Sequence, residues 1–220
     1  MAIMMNESVI ISIGDRETIG ADLQVPDRAT GLVVFAHGSG SSRFSSRNRV
    51  VAEALQARGL GTLLLDLLTP QEESVDVRTA EYRFDIPRLG KRVVVATDWI
   101  QAHRQLRTLP VGYFGASTGA AAALIAAAER PSAVSAVVSR GGRPDLAGAA
   151  LPIVKAPTLL IVGGDDEPVI EMNQEAMDRM KGAHVELQIV PGATHLFEEP
   201  GTLERVQQLA GDWFVRYLHA

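Results

Sequence analysis

Two hydrophobic rhythms alternate along this chain. Leu32 to Ala36 is a near-continuous apolar run, the pattern of a strand buried on both faces. Before it, Val9 to Ile13 and Ala21 to Val25 read as an opening pair of strands joined by a turn containing Gly14 and Asp15. After it, Val50, Val51, Ala54 and Leu55 form a helical stripe that ends at Gly59, and Thr62 to Leu65 is a second buried strand. Leu67 to Pro87 breaks the rhythm: it is irregular and polar, with Glu72, Glu73 and Asp76 close together. Leu89, Val93, Ala96 and Ile100 then recur at helical spacing. Val111 to Phe114 reads as a strand and Ala120 to Glu129 as a helix. Val134 to Val138, Thr158 to Val162 and Val185 to Val190 read as further strands. Met172, Ala176 and Met180 mark one helix, and Leu203, Val206, Ala210, Trp213 and Tyr217 the last. This alternation predicts an α/β fold, a mostly parallel sheet with helices on both faces, over one domain spanning residues 1–220. In such sheets ligands bind at the carboxyl ends of the strands, so chemistry is sought there.

Composition narrows the function classes. The 220 residues are 46% hydrophobic and 21% charged, as in an ordinary folded globule rather than a disordered chain. A net charge of -5 disfavours broad nucleic-acid binding. The absence of cysteine removes disulfides, thiolate metal sites and a cysteine nucleophile together. Met1 to Ser8 lacks a basic start followed by an apolar run, so no signal peptide is expected. The longest apolar stretch, Gly119 to Ala128, is about half of the roughly 20 residues a membrane helix needs. These features predict a cytoplasmic protein with no membrane or nucleic-acid partner, acting on a small molecule as a monomer or homodimer. No Gly-Lys-Ser/Thr phosphate loop, dinucleotide fingerprint or metal-ligand spacing is present, so no cofactor and no metal are expected.

One strand end carries a specific signal. The strand ending at Phe114 runs into Gly115-Ala116-Ser117-Thr118-Gly119, and a helix follows at once. This is G-x-S-x-G in strand–turn–helix context, which exposes a serine hydroxyl above a sheet. The flanking glycines relieve crowding, and the helix points its positive end at the site. A chance Gly/Ser turn is the bland alternative. Ser117 is the candidate nucleophile.

A serine needs a base, and in this motif's context the order is serine, acid, histidine. Of the five histidines, His184, His195 and His219 follow Ser117. His184 opens a strand at the wrong end and His219 lies at the C-terminus, whereas His195 follows the carboxyl end of the last strand. His195 is the candidate base. The acid is expected after Thr158 to Val162, where Asp165, Asp166 and Glu167 are adjacent. Glu167 suits a helix start, Asp166 is favoured as the acid, and Asp165 competes for that role or for capping the next helix. For the oxyanion, the N–H groups of Thr118 and of Ser39 are the expected donors, with Gly38 next after Ser39. His37 is expected to brace its loop.

These residues carry a resemblance. The stretches Phe35 to Arg43, Gly115 to Gly119, Ser139 to Leu146 and Ala193 to Gly201 resemble the dienelactone hydrolase family, within the α/β-hydrolase fold, and specifically a small bacterial subgroup of it. The subgroup's G-x-x-D element falls on Gly163 to Asp166, which supports Asp166 over Asp165. Founding members use a cysteine nucleophile where this chain has Ser117, so the resemblance implies the fold and acyl chemistry rather than the lactone substrate. The expected activity is hydrolysis of a small soluble ester or lactone through an acyl-enzyme. Thioester, peptide or perhydrolysis chemistry on the same residues, and a non-catalytic binding module, are the alternatives. Arg43, Arg47, Arg140 and Arg143 lie near the expected mouth. Arg43 and Arg140 are candidates to bind an anionic acyl substrate; the competing expectation pairs these arginines with Asp66, Asp145, Glu198 or Glu199. No large lid is expected.

Overall fold

The computed structural model describes residues 3–14 and 16–219. Asp15 of the expected opening turn lies outside them. The alternating pattern becomes an eight-stranded sheet in the order β1-β2-β4-β3-β5-β6-β7-β8. β1 (Ile3–Ser12) and β2 (Thr18–Pro26) pair antiparallel, with Ile11 opposite Ile19, and β2 pairs antiparallel with β4 (Gly61–Leu65). From β4 onward the neighbours are parallel: β3 (Leu32–Ala36), β5 (Val111–Ala116), β6 (Val134–Arg140), β7 (Thr158–Gly163) and β8 (Val185–Val190).

Side-chain alternation divides the core into two layers. Val33 and Phe35 of β3 join Phe114, Ala136 and Val138 under α1 (Ser46–Ala57) and α6 (Thr202–Tyr217). Leu32, Val34 and Ala36 face the other layer, with α3 (Ile86–Ala102), α4 (Thr118–Glu129) and α5 (Glu167–Arg179). Burying each large side chain such as Phe35 or Leu55 contributes roughly 1.5–3 kcal/mol. The expected strands are all present, with β1, β2, β5 and β6 longer than their apolar runs. The α1 stripe is shifted: Val50 is exposed, and the inner face is Asn48, Val51, Ala52 and Leu55.

The expected irregular stretch is corrected more substantially. It contains α2 (Pro70–Thr79), started by a capping box in which the Thr69 hydroxyl accepts from Glu72 N and the Glu72 carboxylate from Thr69 N. The inward-facing residues are Glu72 and Asp76, so no apolar period announces the helix. Glu72 Oε1 accepts from Arg88 Nη1 at 2.7 Å and Arg92 Nη2 at 2.8 Å. Asp76 accepts from Tyr82 N at 2.7 Å, and from Arg83 N at 2.9 Å and Nε at 2.7 Å. Burial pushes both carboxyl groups up, but the N–H donors and guanidinium groups outweigh it and hold both below their ordinary values of 4.5 and 3.8. Their stabilisation is therefore complete above about pH 4.5 and lost as pH falls below it toward the folded-state values. We expect trypsin at neutral pH to leave Arg83 and Arg88 uncut, and pepsin near pH 3 to cleave between residues 70 and 88 first. Tryptic cleavage at those arginines in the folded protein would show that the ionic anchor is not holding.

Among the described residues no helix is long and apolar enough to cross a membrane.

Candidate active site

β5 is buried along its whole length at the middle of the sheet, and the chain leaves it through a strained residue. Ser117 has φ 51° and ψ -122°, a region that a residue with a Cβ occupies only under constraint. Main-chain bonds supply the constraint. Ser117 N donates to Arg140 O at 3.2 Å, and Ser117 O accepts from Ala120 N and Arg143 N, each at 3.1 Å. Both motif glycines are explained by backbone proximity. A Cβ on Gly115 would sit 2.4 Å from Ala120 Cα, and one on Gly119 would sit 2.2 Å from Ala36 O. Ser117 occupies the N-cap position of α4 but makes no side-chain cap, so its hydroxyl is not committed to the helix.

The loop after β3 lies against this elbow. A Cβ on Gly38 would be 3.2 Å from Ser117 Cβ. Gly38 to Ser41 close a turn, with Ser41 N donating to Gly38 O at 3.2 Å and Gly40 at φ 68°. Ser39 is thereby held, exposed, beside the elbow. Thr118 N sits in the first turn of α4, where N–H groups lack intrahelical acceptors. His37 braces the loop from below. Its Nε2 accepts from Leu67 N at 3.1 Å, so Nδ1 carries the proton and donates to Gly38 O at 2.8 Å. Burial lowers the His37 pKa against the opposing pull of the Gly38 carbonyl and Asp66, so the ring stays neutral at neutral pH.

The acid and base loops are stitched together by main chain. Asp165 N donates to Ala193 O at 3.0 Å, and a Cβ on Gly163 would be 2.3 Å from the same oxygen. Asp166 Oδ2 stands 2.7 Å from His195 Nδ1. Asp165 instead faces solvent. The alternative that Asp165 caps α5 is not what forms: Asp166 holds the N-cap position and spends its carboxylate on His195. The His195 ring lies against Gly141, whose own Cβ would be 3.7 Å from His195 Cε1. Serine and histidine thus flank the same 140–141 segment. Among the described residues no hydrogen bond links Ser117 Oγ to His195, a looseness common before substrate binds.

Three of the four arginines find carboxylates. Arg43 pairs with Asp66, and its Nε lies 3.3 Å from Asp22 Oδ1 of β2. Arg143 holds Asp145 through two bonds of 2.9 and 2.8 Å. Arg47 Nη1 meets Glu198 at 3.2 Å. The loop-holding expectation describes the contacts of these three, and Arg43 spends its guanidinium on Asp22 and Asp66. Arg140 is buried without such a partner among the described residues. Two surface cavities of about 540 and 490 Å³ flank Arg43, and neither is lined by Ser117 or His195.

Over 98% of its length the chain overlays a crystal structure of dienelactone hydrolase from Anabaena variabilis, covering 99% of that chain, with a TM-score of 0.95 and 58% identity. Est1E of Butyrivibrio proteoclasticus, in a structure with ferulic acid bound, shares the fold with a TM-score of 0.78 and 17% identity, over 95% of this chain and 98% of that one. Two strains of Mycobacterium tuberculosis carry relatives 58% identical over 200 residues, 91% of this chain, whose names propose a phosphoribosyl transferase. The chain spans 44% of the length of those curated relatives. The dienelactone hydrolase family model matches residues 19–216. A match over nearly the whole sheet and both candidate loops places the chain in a family of hydrolases: it belongs to the dienelactone hydrolase family.

Proposed function

We propose that the protein hydrolyses small soluble carboxylic esters or lactones by two-step acyl transfer. Ser117 Oγ attacks the carbonyl carbon while His195 Nε2 takes its proton. Asp166 holds His195 through Nδ1 and stabilises the imidazolium that forms. The N–H groups of Thr118 and Ser39 receive the oxyanion, and the alcohol leaves with the proton returned by His195. Water, deprotonated by the same imidazole, then releases the acid and restores Ser117. One observation carries the reading: an uncommitted serine hydroxyl on a strained elbow shares a short segment with a histidine already bonded to a carboxylate.

A fluorophosphonate tests it directly. Intact mass of the labelled wild-type protein should show a single adduct on Ser117. No adduct on folded protein would shift the reading to a binding module built on the same fold. A panel of esters, thioesters, peptides and peracid-forming conditions then separates the chemistries that share this machinery. Phosphoribosyl transfer rests only on the names of relatives more than twice as long as this chain.

A further inference from the structure

Arg140 closes β6 and begins the segment that Ser117 and His195 flank. Alternation along β6 places it on the face of Ala136 and Val138, the side of α1 and α6. It is 6% exposed, its guanidinium carbon lies 5.9 Å from the Phe197 ring centroid, and its Nε is buried with no partner. Among the described residues it forms no ion pair. Burying an arginine without a counter-charge is costly, and a fold that keeps one commonly does so for a reason outside packing. Burial, reinforced by the charge of nearby Arg47, pushes the Arg140 pKa down to about 10, so it is still a cation at neutral pH.

Arg47 adds to the imbalance. It stands in the first turn of α1, the positive end of that helix, and no acidic residue in the turn offsets it. Its Nε is also buried and unpartnered. Its Nη1 contacts Glu198, whose side chain is 65% exposed, so solvent screens the pair. Arg140 against Phe197 and Arg47 against Glu198, the next residue, bring two guanidinium groups and a helix N-terminus to one short segment, where among the described residues only the largely exposed Glu198 carboxylate meets either of them.

We propose that Arg140, Arg47 and the N-terminus of α1 form an oxyanion subsite beside His195 that takes a carboxylate or phosphate group carried by the substrate. The word substrate rests on the hydrolase reading above; the anion site does not. A bound oxyanion compensates Arg140, displaces Glu198 from Arg47, and uses the planar fork for which guanidinium is suited. The subsite orients an ester whose acyl or leaving group is negatively charged.

The test reads binding without turnover. Wild type, Arg140→Met and Arg47→Gln are titrated by calorimetry with succinate and, separately, inorganic phosphate, and melted with and without each. At least one anion should bind wild type and raise its Tm, with the preferred one naming the group. Each substitution should weaken that binding by about tenfold or more, the loss of a charge-assisted hydrogen bond. Without anion, Arg140→Met should melt at or above wild type, because an uncompensated charge has left an apolar site. Absence of saturable binding by either anion overturns the proposal. So does binding unchanged in both variants, and so does an Arg140→Met variant that melts lower yet binds as wild type, which makes Arg140 a packing partner of Phe197. Arg47 is partly exposed, so its variant keeps the test intact if Arg140→Met does not fold. Failure of fluorophosphonate labelling with anion binding retained would remove the hydrolase reading and leave the subsite standing.

Discussion

Ser117→Ala should lower kcat for a simple ester such as 4-nitrophenyl acetate by on the order of 10⁴- to 10⁶-fold, with Tm nearly unchanged. The two halves of this expectation come from different observations. The activity loss follows because the proposed acyl transfer runs through the Ser117 hydroxyl, and the remaining oxyanion donors supply only a residual rate. The stability follows because, among the described residues, the Ser117 side chain neither caps α4 nor bonds a neighbour, while the bonds that hold the strained residue use its N–H and C=O. Alanine keeps all of these. Continuous absorbance kinetics and a thermal melt measure the pair. A loss below about tenfold would assign the chemistry to another residue, and a large drop in Tm would mean the hydroxyl has a structural partner.

The second large effect separates two adjacent aspartates. Asp166→Asn should reduce kcat by on the order of 10⁴-fold, and Asp165→Asn by less than about twofold. Asp166 accepts from His195 Nδ1, the tautomer of the neutral ring that keeps Nε2 available to take a proton in the proposed mechanism. An amide at 166 can donate as well as accept, so it admits the wrong tautomer and does not stabilise the imidazolium. Asp165 is exposed and contributes its backbone N–H to the loop junction, which asparagine preserves. Stability should fall in Asp166→Asn by about 1 kcal/mol or less, because the amide oxygen still accepts from Nδ1 and only the charge assistance is lost. Equal kinetics for the two variants would end the assignment of Asp166 as the partner of His195.

Legibility in the sequence followed the physics of each element. β3, β5 and β7 were plain because strands buried on both faces are continuous apolar runs, and the Ser117 elbow was plain because its glycines are sterically required. α2 was hidden because its inner face is ionic: Glu72 and Asp76 are buried against arginines that follow later in the chain. Its one local sign was the run Thr69-Pro70-Gln71-Glu72, a capping box with proline in the first turn. His195 and Asp166 were readable as strand-end residues, while the choice between Asp165 and Asp166 needed the resemblance, since adjacent side chains leaving one turn diverge in directions that spacing does not encode. The arginines were readable only as a group. Which of them finds a carboxylate depends on contacts such as Arg43 to Asp66 and Arg47 to Glu198, the latter 151 residues apart.

The elbow has a bearing on how such a protein diverges. The atoms that exclude a Cβ from Gly115 and Gly119 belong to the main chain of residues 36, 37, 119 and 120, not to side chains. A main-chain atom is the same whichever amino acid evolution installs at that position. Drift in core composition can therefore proceed under the sheet without moving the serine, and inheritance of the site is uncoupled from inheritance of the packing around it.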